Sequence, residues 1–327
     1  MKPALNKFTL ARYWLLFAAV MVAVSLQAET WHATVGTQDQ NKGRQVVAFL
    51  PNELWIHAGD SVEWSVKTDE PHTMTFLTAG QIRPPFMVGC PGYSSSTAIV
   101  DGSTCISSPP LVSGQSFSVI FPSAGNFKLV CLVHPDQTGV VHVLETSAAL
   151  PHGQDFYDKE AASQKNEMMA DLAQLQGSPH PGLANDVVAG TGKTLANGGG
   201  HNSISLMRFM QTELVIHAGT TVEWTNDDPS LPHTITFGTE PANPMPPSGS
   251  VSIGVDADGA LHATISSTSD SVHSGFILSA PQDEIGSPQT PLAPTRFRIT
   301  FTKPGVYPYI CALHDELGMK GRIIVLP

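Results

Sequence analysis

Charged residues are scarce in this chain, and positively charged ones are the scarcest. Lysine, arginine, aspartate and glutamate make up 14% of 327 residues, with 17 basic against 28 acidic side chains. A surface with this excess of negative charge repels phosphate backbones, so we expect no nucleic-acid partner. Aromatic residues are few at 7%, whereas glycine and proline number 28 and 26. This composition favours a β-rich globular protein over a coiled coil or a disordered chain.

Long apolar stretches are missing except near the N-terminus. Three basic residues precede the apolar residues 15–24, and Ala28 offers a small residue at a cleavage point. This order is typical of a secretory signal peptide, here residues 1–28, although an uncleaved N-terminal anchor is the alternative. We therefore expect a periplasmic or secreted protein with no membrane span after signal cleavage.

Cysteine is rare, with four residues in the whole chain. Cys90 and Cys105 lie in one loop-like stretch, so we expect them to form a disulfide. Such a bond would contribute about 3 kcal/mol by restricting the unfolded chain. Cys131 and Cys311 lie in a different context, each three residues before a histidine. A buried structural thiol at Cys311, or a disulfide between Cys131 and Cys311, is the alternative to a metal site.

The chain contains an internal repeat. Residues 49–64 read FLPNELWIHAGDSVEW and residues 209–224 read FMQTELVIHAGTTVEW, with ten of sixteen positions identical. PHTMTF then matches PHTITF, and VCLVH matches ICALH, in the same order in both halves. Three matching blocks in one order indicate two copies of one domain. Alternating apolar residues and Gly/Pro turns in each copy predict an all-β sandwich.

The repeat sets the domain boundaries. We place the first domain at residues 29–146 and the second at residues 183–327. The segment between them, residues 147–182, has apolar residues at roughly helical spacing over residues 155–176. This spacing predicts a linker helix that docks on one domain. Its methionines are interpreted as packing residues rather than metal ligands.

The end of the second copy carries residue types that bind a soft metal ion. Cys311, His314 and Met319 lie on one short loop, and His233 follows an earlier strand and turn. Two imidazoles and one thiolate with a weak axial thioether form the trigonal site of blue-copper proteins. Zinc is the alternative for a cysteine and two histidines. A structural zinc site normally has four nitrogen or sulfur ligands, and methionine is a poor one.

These segments resemble the two copper-binding motifs of plastocyanin, a member of the cupredoxin family. They read WTNDDPSLPHTITF at residues 224–237 and YPYICALHDELGMKGRIIV at residues 307–325, with the spacing C-x2-H-x4-M. The resemblance implies two tandem Greek-key β-sandwiches of the cupredoxin type, joined by a partly helical linker. By the same resemblance, the copper ligands of the second domain are His233, Cys311, His314 and Met319.

The resemblance also implies roles for residues around the ligands. Asn226 would support the ligand loop by hydrogen bonding. His314 would be the solvent-facing ligand through which electrons pass. Leu313, Leu317 and Met319 would then form an apolar patch where a redox protein partner docks near His314, in a small and short-lived complex. Independently of the resemblance, the acidic composition would attract a cationic partner, and the alternative is that it only keeps an exported protein soluble.

The first copy departs from this pattern at the fourth ligand. His72, Cys131 and His134 are present, but Gly139 stands at the position of the methionine. Aligning the final strands requires a two-residue deletion and places Gln137 opposite Met319. Glutamine can serve as the axial ligand of blue copper. We interpret the first copy as a second copper site with Gln137 or no axial ligand, and a degenerate site is the alternative.

The favoured function is an electron carrier rather than an enzyme. Multicopper oxidases resemble one another in His-x-His pairs, and the chain contains none. Copper nitrite reductases have a histidine directly before the copper cysteine, where this chain has valine or isoleucine. The alternatives are a two-domain copper oxidase or nitrite reductase-like enzyme, and a copper-delivery protein. The other histidines are interpreted as turn residues or solvated residues: His32, His57, His142, His152, His180, His201, His217, His262 and His273.

Overall fold

The structure of the protein is a computed structural model that describes residues 28–93, 97–177, 184–280 and 294–327. All but the last residue of the expected signal peptide, residues 1–28, lies outside the described residues. Within the described ranges, no helix combines the length and the apolar character needed to cross a membrane.

The first half of the chain is built from strands that match the alternating pattern of its sequence. In order, the strands are β1 (Thr30–Gln38), β2 (Arg44–Leu50), β3 (Glu53–His57), β4 (Ser61–Val66), β5 (Thr75–Phe76), β6 (Gly92–Tyr93), β7 (Thr97–Ile99), β8 (Ile106–Ser107), β9 (Ser116–Ile120), β10 (Gly125–Val130) and β11 (Thr138–Leu144). In β4, Val62, Trp64 and Val66 are buried while the residues between them are half-buried. This alternation places one face of the strand in the core of the first domain.

The second half repeats this plan after a helix. The helix α1 spans Gln154–Gly177, and the strands that follow are β12 (Asp186–Asn197), β13 (Gly200–Phe209), β14 (Glu213–His217), β15 (Thr221–Asp227), β16 (Thr236–Phe237), β17 (Ser248–Gly249), β18 (Gly254–Val255), β19 (Leu261–Ile265), β20 (Val272–His273), β21 (Arg296–Phe301), β22 (Gly305–Ile310) and β23 (Lys320–Leu326). The predicted all-β class and the linker helix are confirmed.

One sheet runs through both domains, and each domain closes its sandwich with a second sheet of its own. The shared sheet has the order β18-β19-β21-β15-β12-β13-β2-β1-β4-β9-β7. The domain-specific sheets have the orders β3-β11-β10-β5-β8-β6 and β14-β23-β22-β16-β20-β17. The domains are therefore joined through backbone hydrogen bonds as well as through the linker.

The junction between the domains is self-complementary. Strand β2 pairs with β13 in antiparallel fashion, with Gln45 opposite Ser205 and Val46 opposite Ile204. In the repeat, Phe49 matches Phe209, so Gln45 and Ser205 are equivalent positions that face each other. The two copies consequently meet as the subunits of a twofold-symmetric dimer do, around an approximate axis through this pair.

Helix α1 packs across this junction instead of on one domain as expected. Its residues Met168 and Leu172 are buried against Leu50 of the first domain and Ile204 of the second. A helix that follows the first domain ends beside the shared sheet, where the apolar faces of β2 and β13 are both within reach. The methionine acts in packing, as the sequence suggested.

Each domain also reaches over the other with its first hairpin. The turn between β1 and β2 places Gly43 against the backbone of Leu317, where an added Cβ would lie 3.4 Å from the carbonyl oxygen. The turn between β12 and β13 places Gly200 against Thr138, and the N–H of His201 donates to the Thr138 hydroxyl at 2.8 Å. These contacts cover the C-terminal loop of each domain.

Candidate metal centres

The second domain brings its candidate ligands together at the ends of three strands. His233 precedes β16 and is held by reciprocal backbone hydrogen bonds with Ile277. Cys311 follows β22, and Met319 precedes β23. The N–H of Cys311 donates to the carbonyl of Met319, and the N–H of Met319 donates to the carbonyl of His314, both at 3.1 Å. The loop between paired strands therefore fixes all three of its candidate ligands.

The donor atoms of this cluster form a small triangle. Nδ1 of His233 and Nδ1 of His314 are 3.1 Å apart, and the Cys311 sulfur lies 3.8 Å and 3.4 Å from them. The three residues are at most 2% exposed, and Met319 is fully buried in the same core as Cys311. The point equidistant from the three atoms lies about 2 Å from each, which is the length of a bond from a metal ion to imidazole nitrogen.

The surroundings of Cys311 favour the thiolate, which is the form that binds metals. Burial would raise the pKa of the thiol, but the charge on His314 and hydrogen bonds from both histidines lower that pKa well below its ordinary value. The N–H of Thr234 also lies 3.3 Å from the sulfur. The Thr234 hydroxyl accepts from the N–H of Ala312 at 2.7 Å, which ties the two ligand segments together.

The first domain repeats this cluster closely. Nδ1 of His134 lies 3.1 Å from Nδ1 of His72 and 3.5 Å from the Cys131 sulfur. All three residues are fully buried, and the N–H of Thr73 lies 3.4 Å from the sulfur. Burial would raise the pKa of the Cys131 thiol, but the charge on His134 and hydrogen bonds from both histidines lower that pKa well below its ordinary value.

Gln137 occupies the same backbone position as Met319. The N–H of Cys131 donates to the carbonyl of Gln137 at 3.0 Å, and the N–H of Gln137 donates to the carbonyl of His134 at 3.3 Å. Its side chain reaches the cluster, since Oε1 lies 2.7 Å from Nδ1 of His72. Its Nε2 has no hydrogen-bond partner among the described residues.

A glycine in a β-bulge lies against the upstream histidine of each cluster. Gly36 interrupts the pairing of β1 with β2 and has a φ of +64°. Gly190 interrupts the pairing of β12 with β13 and has a φ of +81°. A Cβ at these positions would lie 2.9 Å from Nε2 of His72 and 2.0 Å from Nε2 of His233. The bulges therefore leave the space into which the histidine rings fit.

Asn226 supports the loop that carries His233. Its amide nitrogen donates to the carbonyls of Leu231 and Ile277, at 2.8 Å and 2.9 Å. Its oxygen accepts from the N–H of Asp228 at 2.7 Å. The Asp228 carboxylate lies 3.6 Å from Nε2 of His233, which is longer than a normal hydrogen bond.

Two of the sequence-based expectations about histidines are wrong. His314 is 2% exposed and not solvent-facing, because the first domain packs over the ligand loop. His273 is buried and not solvated: Nδ1 lies 2.7 Å from the Thr236 hydroxyl and Nε2 lies 2.9 Å from the carbonyl of Pro244. His273 lies on β20, between β16 and β21, outside the three sequence blocks that the two copies share, so the repeat did not predict its surroundings.

The buried carboxylate of Glu70 was missed by the sequence analysis. It lies between the domains, 3.2 Å from Nε2 of His134 and 3.8 Å from Nε2 of His314. Burial would raise the pKa of Glu70, but the hydrogen bond with His134 and the charges of the nearby histidines lower it. The sequence feature that could have pointed to Glu70 is its position two residues before the candidate ligand His72. Its contact with the second domain depends on how the domains pack.

A cavity of about 550 Å³ opens beside Glu70 and His314. Both domains line it, mostly with apolar residues that include Leu132, Leu278 and Leu313. At its rim, Phe86 and Met87 are 45% and 72% exposed. The segment between β5 and β9, which carries this rim, is held by the disulfide between Cys90 and Cys105. This predicted disulfide is confirmed, and it packs beside Leu132. Because His314 lines this cavity, the cavity connects the molecular surface with the buried cluster of the second domain.

The two clusters fit a copper ion by the chemistry of their donors. Each offers two imidazole nitrogens and one sulfur in a buried triangle, and soft sulfur with imidazole suits copper in both oxidation states. Cys131 and Cys311 are free thiols, so the alternative of a disulfide between them is wrong. Among the described residues, these two are the groups of three metal-binding side chains close enough to share an ion.

Comparison with known proteins finds a match that falls in the second domain. Residues 193–326 match the sequence profile of the copper-binding proteins of the plastocyanin/azurin family. No curated protein matches the chain. Solved structures that match include a reduced amicyanin mutant, at 19% identity over 35% of this chain and 82% of that chain, with a TM-score of 0.25. A purple cupredoxin from Nitrosopumilus maritimus matches at 21% identity over 35% and 99%, with a TM-score of 0.24. Plastocyanin from Dryopteris crassirhizoma matches at 18% identity over 43% and 99%, with a TM-score of 0.21.

Proposed function

On the premise that residues 193–326 belong to the plastocyanin/azurin family of copper-binding proteins, we propose that this protein carries single electrons on type 1 copper. The observation that carries the proposal is the buried triangle of His233, Cys311 and His314. Backbone hydrogen bonds to Cys311 and His314 hold Met319 beside it. Copper held there would cycle between Cu(I) and Cu(II), which transfers one electron without substrate chemistry.

The residues of the second domain suit this role because they form a rigid and dry donor set. Strand pairing and the Thr234 hydroxyl fix the positions of the ligand residues. Hydrogen bonds to Asn226 hold the loop of His233. Such outer partners orient the ligands and tune the metal. A donor set that is already assembled needs little rearrangement when the charge on the metal changes.

We propose a second copper in the first domain, bound by His72, Cys131 and His134. The matching triangle and the full burial of its members support this proposal. Gln137 is the candidate axial ligand, since its side-chain oxygen Oε1 already reaches His72. A harder oxygen donor in place of a thioether would give the first site a potential different from that of the second.

Copper reconstitution of the mature protein tests both assignments. We expect two copper ions per chain, with the strong visible absorption and the EPR signal of type 1 copper. Cys131→Ser and Cys311→Ser should each remove one ion and leave the other. The double variant Cys90→Ser/Cys105→Ser is the control, because it changes two cysteines outside the clusters. A protein that stays colourless with copper and an oxidant would contradict the proposal.

The proposed role is that of a carrier and not of an enzyme. The lack of His-x-His pairs in the sequence supports this view. A copper oxidase or nitrite reductase would need a further copper of a different type. The EPR spectrum of the reconstituted protein discriminates between them, because a type 2 signal with a third copper ion would favour the enzyme.

We further propose that a redox protein docks at the mouth of the interdomain cavity, near His314. The apolar rim at Phe86 and Met87 and the acidic composition of the chain support a cationic partner with an apolar contact. We also propose export to the periplasm or beyond, which the pattern of residues 1–28 supports. N-terminal sequencing of the mature protein tests export, since a first residue of Glu29 is expected and an intact Met1 would contradict it.

A further inference from the structure

The two clusters meet at a single carboxylate. Oε1 of Glu70 lies 3.2 Å from Nε2 of His134, and Oε2 of the same side chain lies 3.8 Å from Nε2 of His314. The Glu70 side chain is only 5% exposed, and the two rings are buried as well. One acidic group of the first domain therefore lies between a candidate ligand of each domain.

The orientation of the two rings makes this contact specific. Nδ1 of His134 faces the Cys131 sulfur at 3.5 Å, and Nδ1 of His314 faces the Cys311 sulfur at 3.4 Å. The other nitrogen of each ring is left to face Glu70. Metal-binding histidines commonly donate their second N–H to a carboxylate, which fixes the tautomer and the ring orientation. Here one carboxylate lies within hydrogen-bond distance of the His134 ring and faces the His314 ring at 3.8 Å, which is an ion-pair distance longer than a hydrogen bond.

The repeat supplies this carboxylate only once. The N–H of Glu70 donates to the Thr68 hydroxyl, and the N–H of Ser230 donates to the Asp228 carboxylate in the same way. Ser230 is therefore the counterpart of Glu70 in the second domain. Its side chain is buried, and its hydroxyl has no partner among the described residues. A carboxylate at position 230 would add a further buried negative charge to the cavity wall that Glu70 and Asp228 already line, with like-charge repulsion and a desolvation cost. In the part of the chain that the structure describes, Glu70 is the carboxylate that lies within 4 Å of a candidate ligand of each domain.

We propose that Glu70 couples the two metal sites, as a positioning residue that holds His134 and His314 and completes the path by which one electron passes between the domains. This inference rests on the proposed function of both domains. In the exchange, one site gives up one electron and the other gains it, so the chain needs no further reactant and releases no proton. The protein would then act as a pair of communicating carriers rather than as two independent ones.

Pulsed reduction of the copper-loaded protein tests this coupling. A pulse delivers less than one electron per chain, and the redistribution of that electron between the sites is followed by visible absorption. The different axial residues, Gln137 and Met319, are expected to make the two sites distinguishable. In the wild type we expect a redistribution rate that does not depend on protein concentration. Glu70→Gln, which keeps the size but removes the charge, should slow it roughly tenfold or more.

The matched control is Glu53→Gln. Glu53 lies 3.1 Å from Nε2 of His142, so it forms a glutamate–histidine pair in the same domain but away from both clusters. This variant should leave the redistribution rate unchanged. Copper content, visible bands and EPR spectra of each variant report whether the clusters themselves persist. If Glu70→Gln loads copper poorly, Glu70→Asp keeps the charge but shortens the reach by one methylene, and slower exchange in it supports the coupling.

The outcomes separate this inference from the proposed function. An unchanged rate in the Glu70 variants, or a wild-type rate that rises with protein concentration, would overturn the coupling and leave single-electron carriage intact. Copper binding in one domain only would also overturn the coupling and would leave single-electron carriage intact. Failure of both domains to bind copper would overturn the proposed function itself.

Discussion

At the scale of single residues, the two clusters differ most in the residue that ends the ligand loop, directly before the last strand of each domain. Gln137 and Met319 have the same backbone hydrogen bonds to the ligand loop. The same position in the fold therefore carries an amide side chain in one domain and a thioether in the other. A thioether favours Cu(I), whereas an amide oxygen is a harder donor that favours Cu(II). The identity of this one side chain should therefore set the order of the two potentials.

Exchanging these two residues tests that expectation. Gln137→Met should raise the reduction potential of the first site, measured by spectroelectrochemical titration in a Cys311→Ser background that leaves one copper. Met319→Gln should lower the potential of the second site in a Cys131→Ser background. An unchanged or lower potential for Gln137→Met would show that Gln137 is not an axial ligand.

At the scale of elements, the β-bulges position the upstream histidines. Gly190 combines a positive φ with a close approach to His233, and only a residue without a side chain meets both conditions. The bulge shifts the register of β12 on β13 by one residue, and this shift makes room for the imidazole ring. The same device recurs at Gly36 beside His72.

Gly190→Ala should therefore damage the second metal site. Gly219→Ala is the matched control, because Gly219 has a φ of +94° and nothing within 4 Å of its added Cβ. The control should cost about 1–2 kcal/mol in the free energy of unfolding, from backbone conformation alone. Gly190→Ala should cost more and should weaken copper binding roughly 10–100-fold, since it displaces His233. Denaturant unfolding and copper titration measure the two effects, and equal copper affinities in both variants would contradict this explanation.

At the scale of the whole molecule, helix α1 and the shared sheet join the two domains into one unit. Leu172 is fully buried in a cluster formed by β2, β13 and the helix. Leu172→Ala should destabilise the protein by about 2–5 kcal/mol, because it leaves a cavity between both domains. Thermal unfolding followed at the visible bands of both sites should show the two bands lost together. Gln176→Ala, at an exposed position of the same helix, is the control, and separate transitions would contradict a shared unit.

The cavity rim gives a prediction about partners at the same scale. Met87→Gln removes apolar contact at the rim without adding charge, so it should slow electron exchange with a cationic redox protein such as cytochrome c by about tenfold. Val215→Thr is the control, because Val215 is 53% exposed on β14 and does not line the cavity. Stopped-flow kinetics measure the exchange. Equal rates for the two variants would place the docking surface elsewhere.

The sequence by itself determined the local features of this protein. Period-two patterns predicted the strands, because a residue's burial in a sheet follows from its alternation along the chain. The repeat predicted two copies of one domain, and the spacing of Cys311, His314 and Met319 predicted three residues on one loop. His233 was found through its motif, and Gln137 through alignment with the second copy. These features depend on neighbours in sequence or on a pattern repeated within it.

Only the tertiary structure decided how the copies face each other. The pairing of β2 with β13 and the packing of α1 across both domains result from surface complementarity that local patterns do not encode. That packing places first-domain residues over the loop of His314, and it brings Glu70 to a histidine 244 positions away. The sequence could supply the ligands of each centre, but the contact between the centres exists only because two folded surfaces fit together.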